Sequence, residues 1–128
     1  MPVDGYGAAF QPEIAHHDRS GLTKLSVLQG YGFSLCPENG IWPGYHTEKI
    51  PEAFCADTLP ITWVSSAVNV DFNPGAFVNL LTLDGSSDAL ARELIADKLD
   101  TYAQAPLLHE RPQLAPLRRF ADAVLDAI

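Results

Sequence analysis

Three short apolar runs constrain the fold of this chain more than any other feature: Phe33 to Cys36, Leu59 to Val64 and Ala76 to Leu81. They are rich in branched and aromatic side chains, and Gly, Pro or Asn punctuates the sequence around them, as expected of strands. A helical segment separates the first two. Strand and helix in alternation is the pattern of a parallel sheet covered by crossover helices. The third run, with VNLL at its centre, is apolar enough to be buried on both faces. The expected class is therefore α/β.

The boundaries follow from local chemistry. The helix after the first strand is expected to begin close to Thr47, with Thr47 as its N-cap, because Pro51 is tolerated in a first turn and disfavoured beyond it. It is expected to run to about Asp57. A turn or short helix should cover Ser65 to Val70, and Asn73-Pro74-Gly75 is a strong turn signal. Upstream, Leu22, Leu25 and Leu28 recur on one face of a short helix over 22–29, broken by Gly30 and Gly32. Residues 1–21 read as loop, with a short strand near Met1 to Val3. From Ser86 onward the chain reads as helical. Leu90, Leu94, Ile95, Leu99 and Tyr102 fall on one stripe behind a Ser87-Asp88 start, and a second helix carries Leu117, Phe120, Val124 and Ile128 behind Pro116. These stripes are core or interface.

A length of 128 residues, 47% hydrophobic and 19% charged, suits one globular domain. The net charge of −8 argues against nucleic acid or anionic lipid as a partner. Cys36 and Cys55 each lie in an apolar run and are expected to be buried free thiols, which suits a reducing compartment. The N-terminus carries no basic-then-apolar signal segment, and no apolar run approaches the roughly 20 residues that span a bilayer. A soluble, cytoplasmic chain is expected. His16, His17 and Asp18 read as a solvated loop, since adjacent histidines without further spaced ligands do not close a metal shell.

Candidate chemistry concentrates in one strand-to-helix turn, CPENGIWPGYHTEKIPEAF, residues 36–54. Free N–H groups at a helix start near Thr47 favour a phosphate, and Lys49 adds a full positive charge there. Glu48 is suited to accept hydrogen bonds from two vicinal sugar hydroxyls. Asn39 offers an amide that donates and accepts, while Tyr45 and Trp42 can stack on a base or a sugar ring. Ligands of open α/β sheets sit at the carboxyl ends of strands, where all four of Asn39, Tyr45, Glu48 and Lys49 fall. Ordinary capping and dipole compensation would also select Thr-Glu-Lys at a helix start. Glu38 would then be a solvated strand-end charge, and Asn39-Gly40 a plain turn.

The motifs FSLCPEN, GYHTEKIPEAF and LPITWVSSAVNVDFNPGAFVNL, in that order, resemble the signature region of the alpha-1,3/4-fucosyltransferases. DFNPGAFVN is most similar to bacterial members, and VDGYG near Val3 resembles a further family segment. The resemblance covers about Val3 to Leu81. It implies a partial Rossmann-like parallel sheet with C-terminal helices, the C-terminal half of a GT-B glycosyltransferase. Residues 1–128 would form a single partial GDP-sugar-binding domain, with the signature at 33–81 and helices over 86–128. It also implies transfer of L-fucose from GDP-fucose to a glycan hydroxyl with inversion, without a metal and with no cofactor beyond the donor. Asn39, Tyr45, Glu48 and Lys49 match donor-binding positions. By this analogy Lys49 stabilises the departing diphosphate, and Glu48 holds donor hydroxyls or balances transition-state charge without being the base.

The sequence departs from the family pattern at Gly40, which replaces a Ser, at Pro37, which replaces an aromatic, and at Val64-Ser65-Ser66, which replaces Gly-Ser-Pro. The family's acceptor domain, its general base and an upstream phosphate-binding Arg have no counterpart here, and nothing around Arg19 resembles that Arg motif. The chain is therefore read as N-terminally truncated. Loss of a positioned base typically costs roughly 10²–10⁴-fold in rate, so the chain alone is not expected to transfer fucose usefully. Two further expectations are peripheral membrane association through regions beyond this chain and self-association through an exposed sheet edge. The alternatives are a non-catalytic nucleotide-sugar-binding remnant and a small acidic interaction protein.

Overall fold

The computed structural model describes residues 22–83 and 87–110, together with positions 5, 118 and 119. The expected strand near Met1, the His16-His17-Asp18 loop, Arg19 and the stripe from Leu117 to Ile128 lie outside the described residues, apart from helical positions 118 and 119.

Helix α1 covers Leu22–Leu28 and leads into strand β1, Phe33–Leu35. Helix α2, Lys49–Cys55, then precedes strand β2, Leu59–Thr62. Two 3-10 turns, Ser66–Val70 and Pro74–Ala76, connect to strand β3, Val78–Asn79. Helices α3, Ser87–Glu93, and α4, Ala96–Gln104, follow. The described strands form one parallel sheet in the order β1-β2-β3. Its register pairs Phe33 with Leu59, Leu35 with Ile61, Ile61 with Val78 and Thr62 with Asn79. The α/β reading holds.

Pro60 sits in the central strand without breaking it, for a geometric reason. The Leu59 N–H bonds to Gly32 O on the β1 side. In a parallel strand the next residue points the other way, towards β3, and β3 begins only opposite Ile61. The missing N–H of Pro60 therefore has no ladder partner to lose. Buried Ile50, Val64, Val68, Phe72, Ala76, Phe77 and Leu107 form the core beside this sheet. Lys24 of α1 pairs with Glu52 of α2 across the outer layer.

Helix α2 stops earlier than the sequence suggests. Asp57 takes φ 56°, the left-handed conformation, and the chain closes with Asp57 N–H to Phe54 O and Thr58 N–H to Ala53 O. This is a Schellman ending with an aspartate where glycine is usual. Exposed Asp57→Gly should raise stability by about 1 kcal/mol in urea denaturation, because the left-handed region strains a residue with a Cβ.

Strand β3 is also shorter than expected, and Leu81 is exposed. The cause is Asn79. Its amide oxygen accepts from Leu81 N–H at 3.2 Å and starts a 3-10 turn over Leu80–Thr82, so the side chain takes the backbone out of the sheet. The same amide accepts from Val64 N–H at 3.3 Å and donates to Val64 O at 2.8 Å, fastening the end of β2. The apolar stripe over 90–102 is likewise divided between α3 and α4. Branched Ile95 adopts extended backbone and is exposed, so it leaves the stripe.

Both cysteines are free, but only Cys36 is buried, whereas Cys55 is exposed on α2. Burial pushes the Cys36 thiol up to about 12. In native protein at pH 8, a disulfide-exchange reagent should modify Cys55 promptly and Cys36 only after unfolding.

Candidate functional site

The site is built around a carboxylate that the sequence reading treated as a solvated charge. Beyond β1 the chain continues alongside β2, with Cys36 N–H bonded to Ile61 O and Thr62 Oγ1 donating to Cys36 O, each at 2.8 Å. The indole N–H of Trp63 then donates to Glu38 O at 2.9 Å. These bonds turn Glu38 inward, where its side chain is fully buried. Thr47 donates its backbone N–H to Glu38 Oε1 at 2.7 Å, and its hydroxyl lies 3.0 and 3.1 Å from the two carboxylate oxygens. Lys49 Nζ completes the set, 3.3 Å from Oε2. Burial alone would raise the Glu38 carboxyl, but the hydrogen bonds from Thr47 and the ammonium of Lys49 outweigh it and hold the group below its ordinary value.

This arrangement corrects the expected cap. Glu48, not Thr47, occupies the position before α2, with helical φ −62° and no side-chain cap bond. Thr47 spends both of its donors on Glu38. The anion collected at this helix start is thus the protein's own.

Lys49 is equally engaged. Besides Glu38 it donates to Pro37 O at 2.7 Å and Asn39 Oδ1 at 3.2 Å, which uses all three ammonium protons. Asn39 and Lys49 are therefore brought together. Tyr45 and Glu48 lie on the same loop and are exposed. Neither side chain hydrogen-bonds to another described residue, so both are available to a ligand. Asn39 is exposed, and its bond is the one that an incoming oxygen can displace from Lys49 without disturbing the buried pair.

His46 secures the far side of the loop. Its Nε2 lies 3.4 Å from Asp71 Oδ2, and its ring meets Phe72 edge-on at 5.2 Å. Sequence reasoning assigned His46 no role. Nor did it single out Trp63, although an indole placed just beyond an apolar strand is a signal for a tethered side chain.

A concavity of about 280 Å³ lies beside β3, with Asn79, Thr82, Glu93 and Tyr102 among its lining. Glu93, Tyr102, Thr82 and Asn79 are engaged by neighbouring protein groups. Tyr102 OH donates to Glu93 at 2.9 Å, Lys98 donates to Glu93 at 2.6 Å, and Thr82 OH donates to Asn79 O at 2.8 Å. Burial, with the Glu93 bond, pushes the Tyr102 phenol up to about 12. None of Leu90, Leu94, Ile95, Leu99 and Tyr102 in the stripe is fully buried. No group of three or more potential metal ligands occurs among the described residues. No described helix is long and apolar enough to cross a membrane.

The chain is similar to known proteins. The alpha-(1,3)-fucosyltransferase FucT of Helicobacter pylori is 43% identical over 89 residues, which is 70% of this chain and 18% of that protein. A crystal structure of an alpha1,3-fucosyltransferase superposes with a TM-score of 0.66 at 28% identity, covering 80% of this chain and 33% of that one. The chain is homologous to a segment of the alpha-1,3-fucosyltransferases. A putative fucosyltransferase, R654, of Acanthamoeba polyphaga mimivirus is 30% identical over 66 residues, 52% of this chain and 11% of that protein. An alpha1,3-fucosyltransferase crystallised with GDP-fucose gives a TM-score of 0.67 at 26% identity, covering 87% of this chain and 38% of that one. A third structure of this kind contains GDP. No family model matches the chain. The chain spans less than a fifth of the length of these curated fucosyltransferases.

Proposed function

We propose that this chain is the donor-binding portion of an inverting alpha-1,3/4-fucosyltransferase, taking GDP-fucose and serving transfer of L-fucose to a glycan hydroxyl. The observation that carries the proposal is the strap from Pro37 to Lys49. A buried Glu38 fixes Lys49 at the carboxyl end of β1, with Asn39 against the ammonium and exposed Tyr45 and Glu48 on the same strap. The relatives support it, since related solved structures contain GDP and GDP-fucose.

In this reading a phosphate oxygen replaces Asn39 Oδ1 on Lys49. The freed amide and the Tyr45 phenol then donate to the diphosphate, and Glu48 accepts from fucose hydroxyls. Lys49 gains catalytic value as the leaving diphosphate acquires charge, because its position is fixed beforehand and needs no reorganisation at that moment. The buried carboxylate keeps the ammonium charged and aimed. Glu48 balances positive charge developing on the sugar and does not take the acceptor proton. The free thiols support a reducing, cytoplasmic location within the same proposal. Self-association through the β1 edge, the outer strand among the described residues, belongs to the same proposal.

Calorimetric titration of the chain with GDP-fucose, GDP and UDP tests the reading. Binding of both guanine nucleotides in preference to UDP is expected. Absence of guanine-nucleotide binding would sink it, and binding without turnover in the presence of a separately supplied acceptor domain would favour a non-catalytic module.

A further inference from the structure

We propose that Trp42, seated on the backbone of Gly40, is a stacking platform for a pyranose ring, a specificity element that rests on the donor-site reading above. Trp42 is 68% exposed, although the loop around it is firmly held. On one side Asn39 is fastened to Lys49. On the other, Tyr45 N–H bonds to Trp42 O at 3.0 Å across Pro43 and Gly44, and Gly44 has φ 74°. Proline followed by a positive-φ glycine at the two central positions makes a tight turn with little freedom. A large apolar side chain is thus presented to water from a fixed base.

Gly40 explains how the ring is held. A Cβ built on Gly40 would lie 2.5 Å from the indole Nε1 and 3.2 Å from Cδ1 of Trp42, so the indole rests directly on the glycine. Gly40 does not have the positive φ that would itself demand glycine. What the missing side chain provides is the seat. The N–H edge of the indole therefore lies against Gly40 and most of the ring is left open, three residues from Asn39 and at one end of the turn that also carries Tyr45.

An open aromatic surface held at its N–H edge suits a sugar better than a purine. Axial C–H bonds of a pyranose carry partial positive charge and meet the negative face of an indole, while the ring's hydroxyls remain in water. A flat base gains more where both of its faces are enclosed. The pyranose can be the fucose of the donor or a residue of the acceptor glycan, and the same contact serves either.

The test is calorimetric titration of the full chain, as wild type, Trp42→Ala and Gly40→Ala, with GDP, GDP-fucose and an N-acetyllactosamine oligosaccharide. Far-UV circular dichroism checks the folding of both variants. Trp42→Ala should weaken at least one sugar ligand by about tenfold and leave GDP unchanged. Gly40→Ala should act in the same direction, because its methyl group displaces the indole without removing it. Loss confined to GDP-fucose assigns the platform to the donor's fucose, and loss on the oligosaccharide assigns it to the acceptor. Unchanged affinity of Trp42→Ala for both sugar ligands, equal weakening of GDP, or no binding of either sugar ligand by wild type overturns the platform. A wild-type chain that binds the oligosaccharide but not GDP rejects the donor reading, and the Trp42→Ala comparison on the oligosaccharide still decides the platform.

Discussion

Glu38→Ala is expected to destabilise the chain by about 3 kcal/mol and to remove nucleotide binding with it. The substitution strands three groups at once: the Thr47 N–H, the Thr47 hydroxyl and the Lys49 ammonium, all of which point at a carboxylate that is no longer there. The largest part of the loss is the partly buried charge left without its counterion, and the unpaired backbone donor adds to it. Urea denaturation measures the stability change. The wild-type pH dependence gives a second readout with a defined sign. The Glu38 carboxyl is depressed in the folded state below its ordinary value of 4.5, so its contribution is fully present above that value and is lost as pH falls through the folded value. Denaturation midpoints should therefore drop below about pH 4.5, and Glu38→Gln should flatten that part of the profile.

Lys49→Met is expected to lower affinity for GDP by roughly 30-fold, the equivalent of about 2 kcal/mol for one charge-assisted contact to a phosphate. It also leaves Glu38 buried without its cation, so the variant is less stable near neutral pH and recovers as Glu38 is protonated. The two effects separate in the Glu38→Gln, Lys49→Met double variant. Removing both charges costs less stability than removing either one, because no buried ion is left unpaired, while Thr47 can still donate to the amide oxygen that replaces the carboxylate. Affinity stays low because the phosphate partner is still missing. Calorimetry and denaturation on the three variants give the cycle. A double variant that regains GDP affinity would show that Lys49 acts only through the fold.

These variants probe the part of the site that the sequence showed least clearly. The three parallel strands and α2 were legible because short apolar runs bounded by Pro, Gly and Asn leave few other structures open to the chain. Pro51 placed the helix start to within two residues of Lys49. What local pattern could not show was direction. Glu38 follows a Pro at a strand end, which is where solvated charges are common, and only the Trp63 tether and the two donors of Thr47 reveal that it turns inward. Thr47 fails as a cap for the same reason, since its hydroxyl has a charged acceptor to satisfy. Asn79 was hidden in another way. VNLL reads as unbroken strand to Leu81, yet the Asn79 amide ends the strand and fastens it to the end of β2. In each case a side chain settled a backbone question through a partner distant in sequence. Asn39, Tyr45, Glu48 and Lys49 were nameable from the motif, but the saturation of Lys49 by protein acceptors was not.

In the proposed function the strap from Pro37 to Lys49 is where a guanosine diphosphate sugar binds. The most direct measurement is an amide chemical-shift titration of the isotopically labelled chain with GDP-fucose. Saturable shifts concentrated at Asn39, Tyr45, Glu48 and Lys49, with Glu93 and Tyr102 unmoved, are predicted. Shifts centred on the cavity beside β3, or none at nucleotide concentrations that saturate a folded control transferase, would contradict it.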